Sequence, residues 1–327
     1  MQKSFYREAL KNSWQLASQH KLLWIFGFFA AFLGQMGVLE LLTKVWHAAQ
    51  NLGVYPYWWL LPKILAVSWL AHPLSFDIET WTWLFWLVFV FVAFGIFWIF
   101  VSVVSQGAVV RAAAQFDTKK TLPSTSAGWQ AGVKHFWRLL LINIIKKVLL
   151  LLLAAVVGWG AWAVFSSGSF WQVGLFLLAF LLATIVGLVI SFLAVYAANY
   201  VVVEEYSLGK SLLFAYELFK AHWFVSLEIG LIVLGVNIVF IVGLLLGFFV
   251  IFLPTLFLWG LTILFSNPSF WIFGLVVSGF LYILFAALAT AVFSIFSISI
   301  WTYLFTKMHK TGIKSRLIHH LTWRGSK

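Results

Sequence analysis

Three histidines stand at equivalent places in this chain, and imidazole is the side chain that most readily ligates a metal or moves a proton near neutral pH. Ser13-Trp14-Gln15 leads to His20, Gly128-Trp129-Gln130 to His135, and Ala215-Tyr216-Glu217 to His222, each copy directly before a long apolar run. A metal site needs its ligands to meet at about 2 Å from one ion, whereas equivalent positions of three repeated units stand apart. The histidines therefore read as boundary markers, with the ring at a membrane interface where amphipathic rings are favoured. The repeated aromatic, Trp14, Trp129 or Tyr216, is expected to pack a surface helix onto the apolar helices. No metal and no cofactor is expected.

Charges inside the apolar runs are the next candidates. A charge at the centre of a bilayer costs at least about 2.5 kcal/mol, so it usually comes with a partner or with water. Glu228 follows His222 by six residues, roughly 9 Å deeper at about 1.5 Å per helical residue. Lys146 and Lys147 stand eleven and twelve residues after His135, with Asn143 one turn before Lys147. Two arrangements satisfy these charges: a Glu228–Lys146 pair within the bundle, or lysines that snorkel while Glu228 faces the interface. Asn237, Asn199, Gln106 and Arg111 complete the polar set, and hydrogen bonds between helices are their favoured role over a transport path. On the opposite side, His47, His72, Asp77 and Glu79 lack a close ligand spacing. The chain carries no Walker-type nucleotide loop, no His-Glu-x-x-His zinc helix and no Gly-x-Ser-x-Gly nucleophile elbow. It has no cysteine, which excludes disulfides and a thiolate nucleophile.

What must position these residues is a set of membrane helices. Of 327 residues, 63% are hydrophobic and 9% charged. Soluble domains carry roughly 25% charged residues, so the bilayer is the solvent for most of this chain. A span takes about 20 apolar residues, and six stretches meet that length, at about 22–43, 81–110, 137–163, 171–203, 223–252 and 271–305. The fold expected is all-α: a polytopic membrane protein with six transmembrane helices arranged as three helical hairpins, each preceded by a cytoplasmic amphipathic helix. Its units are 1–120, 121–206 and 207–310, with a basic cytoplasmic tail at 311–327, all within one membrane domain.

Lysine and arginine set the orientation, because they stay on the cytoplasmic side during insertion. With Lys146 and Lys147 reaching back, 19 of the 21 basic residues fall on one side, and only Lys44 and Lys63 fall on the other. Both termini are therefore expected in the cytoplasm. Lys3, Arg7, Glu8 and Lys11 spread along an amphipathic segment, which reads as a retained helix and not a cleaved signal. The net charge of +12 gathers at the cytoplasmic face, where anionic headgroups attract each nearby basic side chain by roughly 1 kcal/mol. The expected partners are the lipid bilayer, through those headgroups, and other membrane proteins. Nucleic acid is not expected, since insertion alone produces such a face.

A second repeat marks the far side. Phe165-Ser166-Ser167-Gly168-Ser169-Phe170-Trp171 recurs as Phe265-Ser266-Asn267-Pro268-Ser269-Phe270-Trp271, turn formers between apolar helices. These tips are 100 residues apart, whereas His135 and His222 are 87 apart, so the third unit has gained 13 residues in its outward limb. Pro254 lies in that limb, and a helix to about Leu253, a kink and a short helix from about Thr255 to Phe265 are expected. In the first unit an aromatic stretch from Val45 to Thr80 separates the spans and should lie along the outer surface. On the cytoplasmic side, Ser4, Ser124 and Ser207 are expected N-caps of helices near 4–19, 124–135 and 207–221.

The run Val201-Val202-Val203-Glu204-Glu205-Tyr206-Ser207-Leu208-Gly209-Lys210-Ser211, continuing through Ala215 and Phe219 to Trp223, resembles a segment of bacterial six-span membrane domains. Such domains include the membrane part fused to some glycerophosphodiester phosphodiesterases and many inner-membrane proteins of unassigned activity. The resemblance implies a bacterial cytoplasmic membrane and six helices, but no activity and no catalytic residue. Two functions are in view: a non-enzymatic integral protein that organises or associates with the membrane or its proteins, and a carrier or permease subunit for a small or lipid-like substrate. The first follows from the three amphipathic helices and the scarcity of buried charge. The second follows from Glu228, Lys146 and a limb broken at Pro254, since interrupted helices often build transport sites.

Overall fold

In hydrocarbon a helix closes every backbone hydrogen bond within its own segment, and the long apolar runs of this chain take that form. The computed structural model describes residues 5–33, 78–119, 121, 124–167 and 170–311. Among these are eight helices: α1 Phe5–Gln19, α2 Leu23–Ala31, α3 Ile78–Lys119, α4 Thr125–Lys134, α5 Phe136–Ser167, α6 Phe170–Val203, α7 Leu208–Phe265 and α8 Ser269–Thr311. Five of them, α3 and α5 to α8, are long and apolar enough to cross a membrane. Helix α2 covers the start of the stretch expected to span from 22 to 43; residues beyond 33 lie outside the described residues.

Helices α5 and α6 lie along one another with opposed directions, Gly160 facing Phe176 and Gly187 facing Leu150. Helices α7 and α8 do the same: the Phe240 and Phe293 rings stack at 4.4 Å, and Thr255 Oγ1 lies 2.6 Å from Ser278 Oγ. Helices α3 and α8 form the centre, α8 packing against α1, α2, α3, α6 and α7, and α3 also against α4, α5 and α6.

Burial is concentrated at one end. On α3 the buried side chains run from Val101 to Phe116, on α6 from Phe192 to Val202, and on α8 from Thr290 to Met308, with Ser278 buried separately against α7. The other ends of these helices present Trp83, Phe91, Leu177, Phe180, Phe273 and Phe280 outward. Helices α1 and α4 and the first part of α7 belong to the packed end and not merely to its surface. Ala9, Ser13, Leu16 and Ala17 of α1 are buried, as are Ser211, Ala215 and Leu218 of α7, at the three and four residue steps of a helical face.

Close approach here depends on absent side chains. A Cβ on Gly107 of α3 would lie 2.8 Å from the Gly132 Cα of α4, and a Cβ on Gly132 would overlap the Val104 carbonyl oxygen. On α2, a Cβ on Gly27 would overlap the Ala291 carbonyl oxygen of α8. Without hydrophobic pressure between helices in lipid, such backbone-to-backbone fits supply much of the association.

The end signals of the sequence hold in part. Ser124 caps α4, its side chain accepting from Ala127 N at 3.3 Å. Ser207 occupies the N-cap of α7 without a side-chain cap bond, and Ser4 lies outside the described residues. At the tip between α7 and α8, Ser266 adopts φ 50 and Asn267 Oδ1 accepts from Ser269 N at 3.0 Å. The break expected at Pro254 is not found: α7 runs through it to Phe265, and its one non-helical residue is His222, with φ −130 and ψ 31. Proline is tolerated inside membrane helices, and the next residue ties the limb to its neighbour: Thr255 Oγ1 donates to the Gly274 carbonyl of α8 at 3.1 Å and meets Ser278. Most of the aromatic 45–80 stretch lies outside the described residues, although α3 already begins at Ile78.

Candidate functional site

Each histidine of the repeat stands where a helix stops. His20 follows the last residue of α1, His135 is the C-cap of α4 with φ −104 and ψ 8, and His222 interrupts α7. Their surroundings differ. The His20 ring meets Phe116 edge-on at 6.0 Å. The His222 carbonyl accepts from Ser226 Oγ at 3.1 Å, and that hydroxyl lies 2.7 Å from the Tyr196 hydroxyl. His135 is 2% exposed. Among the described residues no group of three or more histidine or acidic side chains could hold a metal ion.

The repeated aromatic does not have one role. Trp129 is half-buried and stacks on Phe26 at 6.1 Å, as expected of a residue packing α4 onto its neighbours. Trp14 is largely exposed, touching Phe296 only edge-on, and Tyr216 is exposed. The inward residue in every copy is the small one before the aromatic: Ser13, Gly128 and Ala215 are all buried. The signal was in the motif itself, because helices that approach closely need a small residue at the contact.

The intramembrane candidates separate. Asn143 is buried and its Nδ2 donates to Gln106 Oε1 at 2.8 Å and to the Leu139 carbonyl at 2.9 Å, joining α5 to α3. Lys146 is half-buried, Lys147 exposed, and Glu228 and Asn237 half-buried. Lys146 stands on α5, whose main neighbours are α6 and α3, whereas Glu228 stands on α7, whose main neighbours are α8 and α6.

A polar cluster that sequence spacing did not suggest sits at the packed end. Val203 ends α6, and Glu205 turns the chain with φ 57, a left-handed conformation that glycine usually supplies after a helix. The turn lets Tyr206 N donate to the Tyr200 carbonyl at 3.3 Å. It also aims the Glu205 carboxylate at α4, where Lys134 Nζ donates to Oε2 at 2.7 Å and His135 Nε2 lies 4.0 Å from Oε1. Arg138 Nη1 donates to the carbonyls of Glu205 and Tyr206, both at 3.2 Å. Beside them Glu204 Oε1 lies 3.7 Å from His309 Nε2, and the Tyr200 hydroxyl 3.4 Å from His309 Nδ1.

The electrostatics follow from this geometry. Burial holds the His135 imidazole below its ordinary pKa; Glu205 opposes this, and Lys134, Arg138 and Arg111 reinforce it. The hydrogen bond from Lys134 holds the Glu205 carboxyl below the usual carboxylate range, with the Lys134, His135 and Arg111 charges acting the same way. Arg111, Gln115, Gln130, Lys134, His135 and Glu205 line a pocket of about 280 Å³ between α3, α4 and the end of α6. A second groove, of about 440 Å³, runs beside His20, Lys21 and Ser124.

No family model, curated protein or solved structure matches the chain.

Proposed function

We propose that this chain is a non-enzymatic integral protein of a bacterial inner membrane, with six spans in three hairpins and both termini in the cytoplasm, which organises the membrane or associates with membrane proteins there. The observation that carries this reading is the convergence of α1, α4 and the first part of α7. Each ends at a repeat histidine, and all pack into the same end of the bundle. Basic residues at that end, Lys134, Arg138 and Lys210 among them, match the side on which insertion retains positive charge. The three-unit repeat and the interfacial character of these helices belong to the same proposal. The carrier reading drew on a limb broken at Pro254; the continuity of α7 removes that support.

The chain lacks cysteine, so single cysteines report topology directly. Ser124→Cys and Lys210→Cys should react with a membrane-impermeant maleimide only from the cytoplasmic side, and Asn267→Cys only from the other. Reaction of all three from one side would refute the proposal. Flux and lipid scrambling through reconstituted protein should be no faster than through empty vesicles. A flux abolished by Glu228→Gln would establish the carrier reading instead.

A further inference from the structure

We infer that the pocket bounded by Arg111, Lys134, His135 and Glu205 is a binding site for a phosphate-bearing anion, and that the Glu205 carboxylate occupies it as a displaceable internal stand-in. The site rests on the proposal above in one respect, that this end of the bundle meets the cytoplasmic headgroup layer.

Three features carry the inference. Positive charge is in excess: Arg111 and Lys134 line the pocket against one carboxylate, Glu205. With a neutral imidazole at His135, one positive charge remains for a ligand to match, and displacement of the Glu205 carboxylate frees a second. The pocket walls also supply neutral donors, Gln115 and Gln130, beside the apolar Ala127, Ala131 and Val202. This is a lining for a compact anion with several acceptor oxygens, and guanidinium and ammonium groups bind phosphate through charge-assisted hydrogen bonds. At about 280 Å³ the space falls just below the roughly 300–1,000 Å³ of common ligand pockets, room for a headgroup and not for acyl chains.

The third feature concerns Glu205 itself. Its side chain is half exposed, and it holds a left-handed φ of 57 where a glycine would be unstrained. The carboxylate that reaches Lys134 from this position is thus neither buried nor locked by neighbours. Arg138 fixes the Glu205 carbonyl and not its carboxylate, so the side chain can swing out while the backbone turn stays in place. An arriving phosphate takes over the hydrogen bond from Lys134 and adds the bonds of Arg111.

Phosphate chemistry has two sources here, a lipid headgroup or a soluble phosphate ester, and the assay separates them. Full-length protein in neutral detergent is titrated with phosphatidylglycerol, with phosphatidylcholine, and with inorganic phosphate. Binding is read by native mass spectrometry for the lipids and by thermal shift for all three probes. Wild type should bind phosphatidylglycerol or inorganic phosphate, and Arg111→Ala with Lys134→Ala should weaken that binding by about tenfold or more. Glu205→Gln should tighten it several-fold by removing the competitor. The control pair Lys210→Ala with Lys220→Ala removes the same charge from α7 and should leave affinity unchanged.

Binding by phosphatidylglycerol alone assigns a headgroup, and binding by inorganic phosphate with the same variant pattern assigns a soluble ester. Equal weakening by both alanine pairs would overturn the site in favour of diffuse surface charge, as would absence of binding by every probe. Circular dichroism of each variant guards against loss of fold. The maleimide map distinguishes the two failures: intact topology without binding removes the site alone, whereas reversed topology removes the underlying proposal.

Discussion

The contact between α3 and α4 offers the sharpest test of how this protein holds together. Carbon atoms pack comfortably at about 3.5–4.0 Å, but an alanine Cβ at position 107 would lie 2.8 Å from the Gly132 Cα and 3.0 Å from Leu139 Cδ1. Leu139 can rotate; a backbone Cα cannot. Gly107→Ala therefore forces α4 away from α3 by about 1 Å, the gap between those separations. Overpacking of this kind costs about 1–3 kcal/mol. The opposing gain in helix propensity, up to about 1 kcal/mol, is cancelled by using Gly95→Ala on the same helix as the reference, since a Cβ there meets nothing within 4 Å. Both variants would be unfolded in mixed micelles by increasing the mole fraction of sodium dodecyl sulfate, followed by tryptophan fluorescence. Gly107→Ala should unfold earlier than Gly95→Ala by the equivalent of about 1–3 kcal/mol. Gly132→Ala, whose Cβ would overlap the Val104 carbonyl oxygen, should cost at least as much as Gly107→Ala, and Gly128→Ala, whose Cβ would sit 3.9 Å from Ala108, should be tolerated. Equal midpoints for Gly107→Ala and Gly95→Ala would refute the argument that glycine sets this contact.

Stability should also depend on pH. His135 has its folded pKa held below its ordinary 6.5, so the unfolded chain takes up a proton more readily; stability is full above about pH 6.5 and declines as pH falls below it. Glu205 acts in the same direction only below its ordinary 4.5. Melting temperatures at pH 7.5, 6.5 and 5.5 should fall over the last step in wild type and flatten in His135→Asn. For the α3–α5 bond, Asn143→Ala strips Gln106 Oε1 of its buried donor and should cost about 1–2 kcal/mol in the same micelle assay, whereas Asn143→Leu with Gln106→Leu should recover most of it. Thr255→Val removes both α7–α8 hydrogen bonds and should cost about 0.6–1.7 kcal/mol by the same measurement.

Much of the helical layout was legible because its signals are local. A histidine after each triplet of small residue, aromatic and Gln or Glu coincides with a helix stop at 20, 135 and 222, and Ser124 caps as its type suggests. Gln106 was recognisable as a helix-joining residue because a polar side chain in an apolar run needs a partner, although that its partner would be Asn143 was not. The choice of which apolar side chains pack was hidden, since Leu and Phe suit lipid and core alike. Hence Trp14 and Tyr216, expected to pack, are mostly exposed. The Glu205 cluster was hidden for another reason: Lys134 and Glu205 are 71 residues apart in sequence and meet only because a left-handed residue ends α6. Pro254 misled because a rule for soluble helices does not carry into a membrane helix, where proline is tolerated beside packed neighbours.

The one-sided burial has a mechanical consequence. On α3 the buried side chains begin at Val101, leaving 81–100 on the sparsely packed side, whereas the 270–289 limb of α8 is held to α7 through Ser278 and Tyr282. The α3 limb is about 20 residues, or about 30 Å, which equals the thickness of a hydrocarbon core. In a bilayer it acts as a leg clamped at one end, beside the braced α7–α8 pair. A change in membrane thickness is met by tilt of this leg, at fractions of a kcal/mol per ångström, while the packed end keeps its shape.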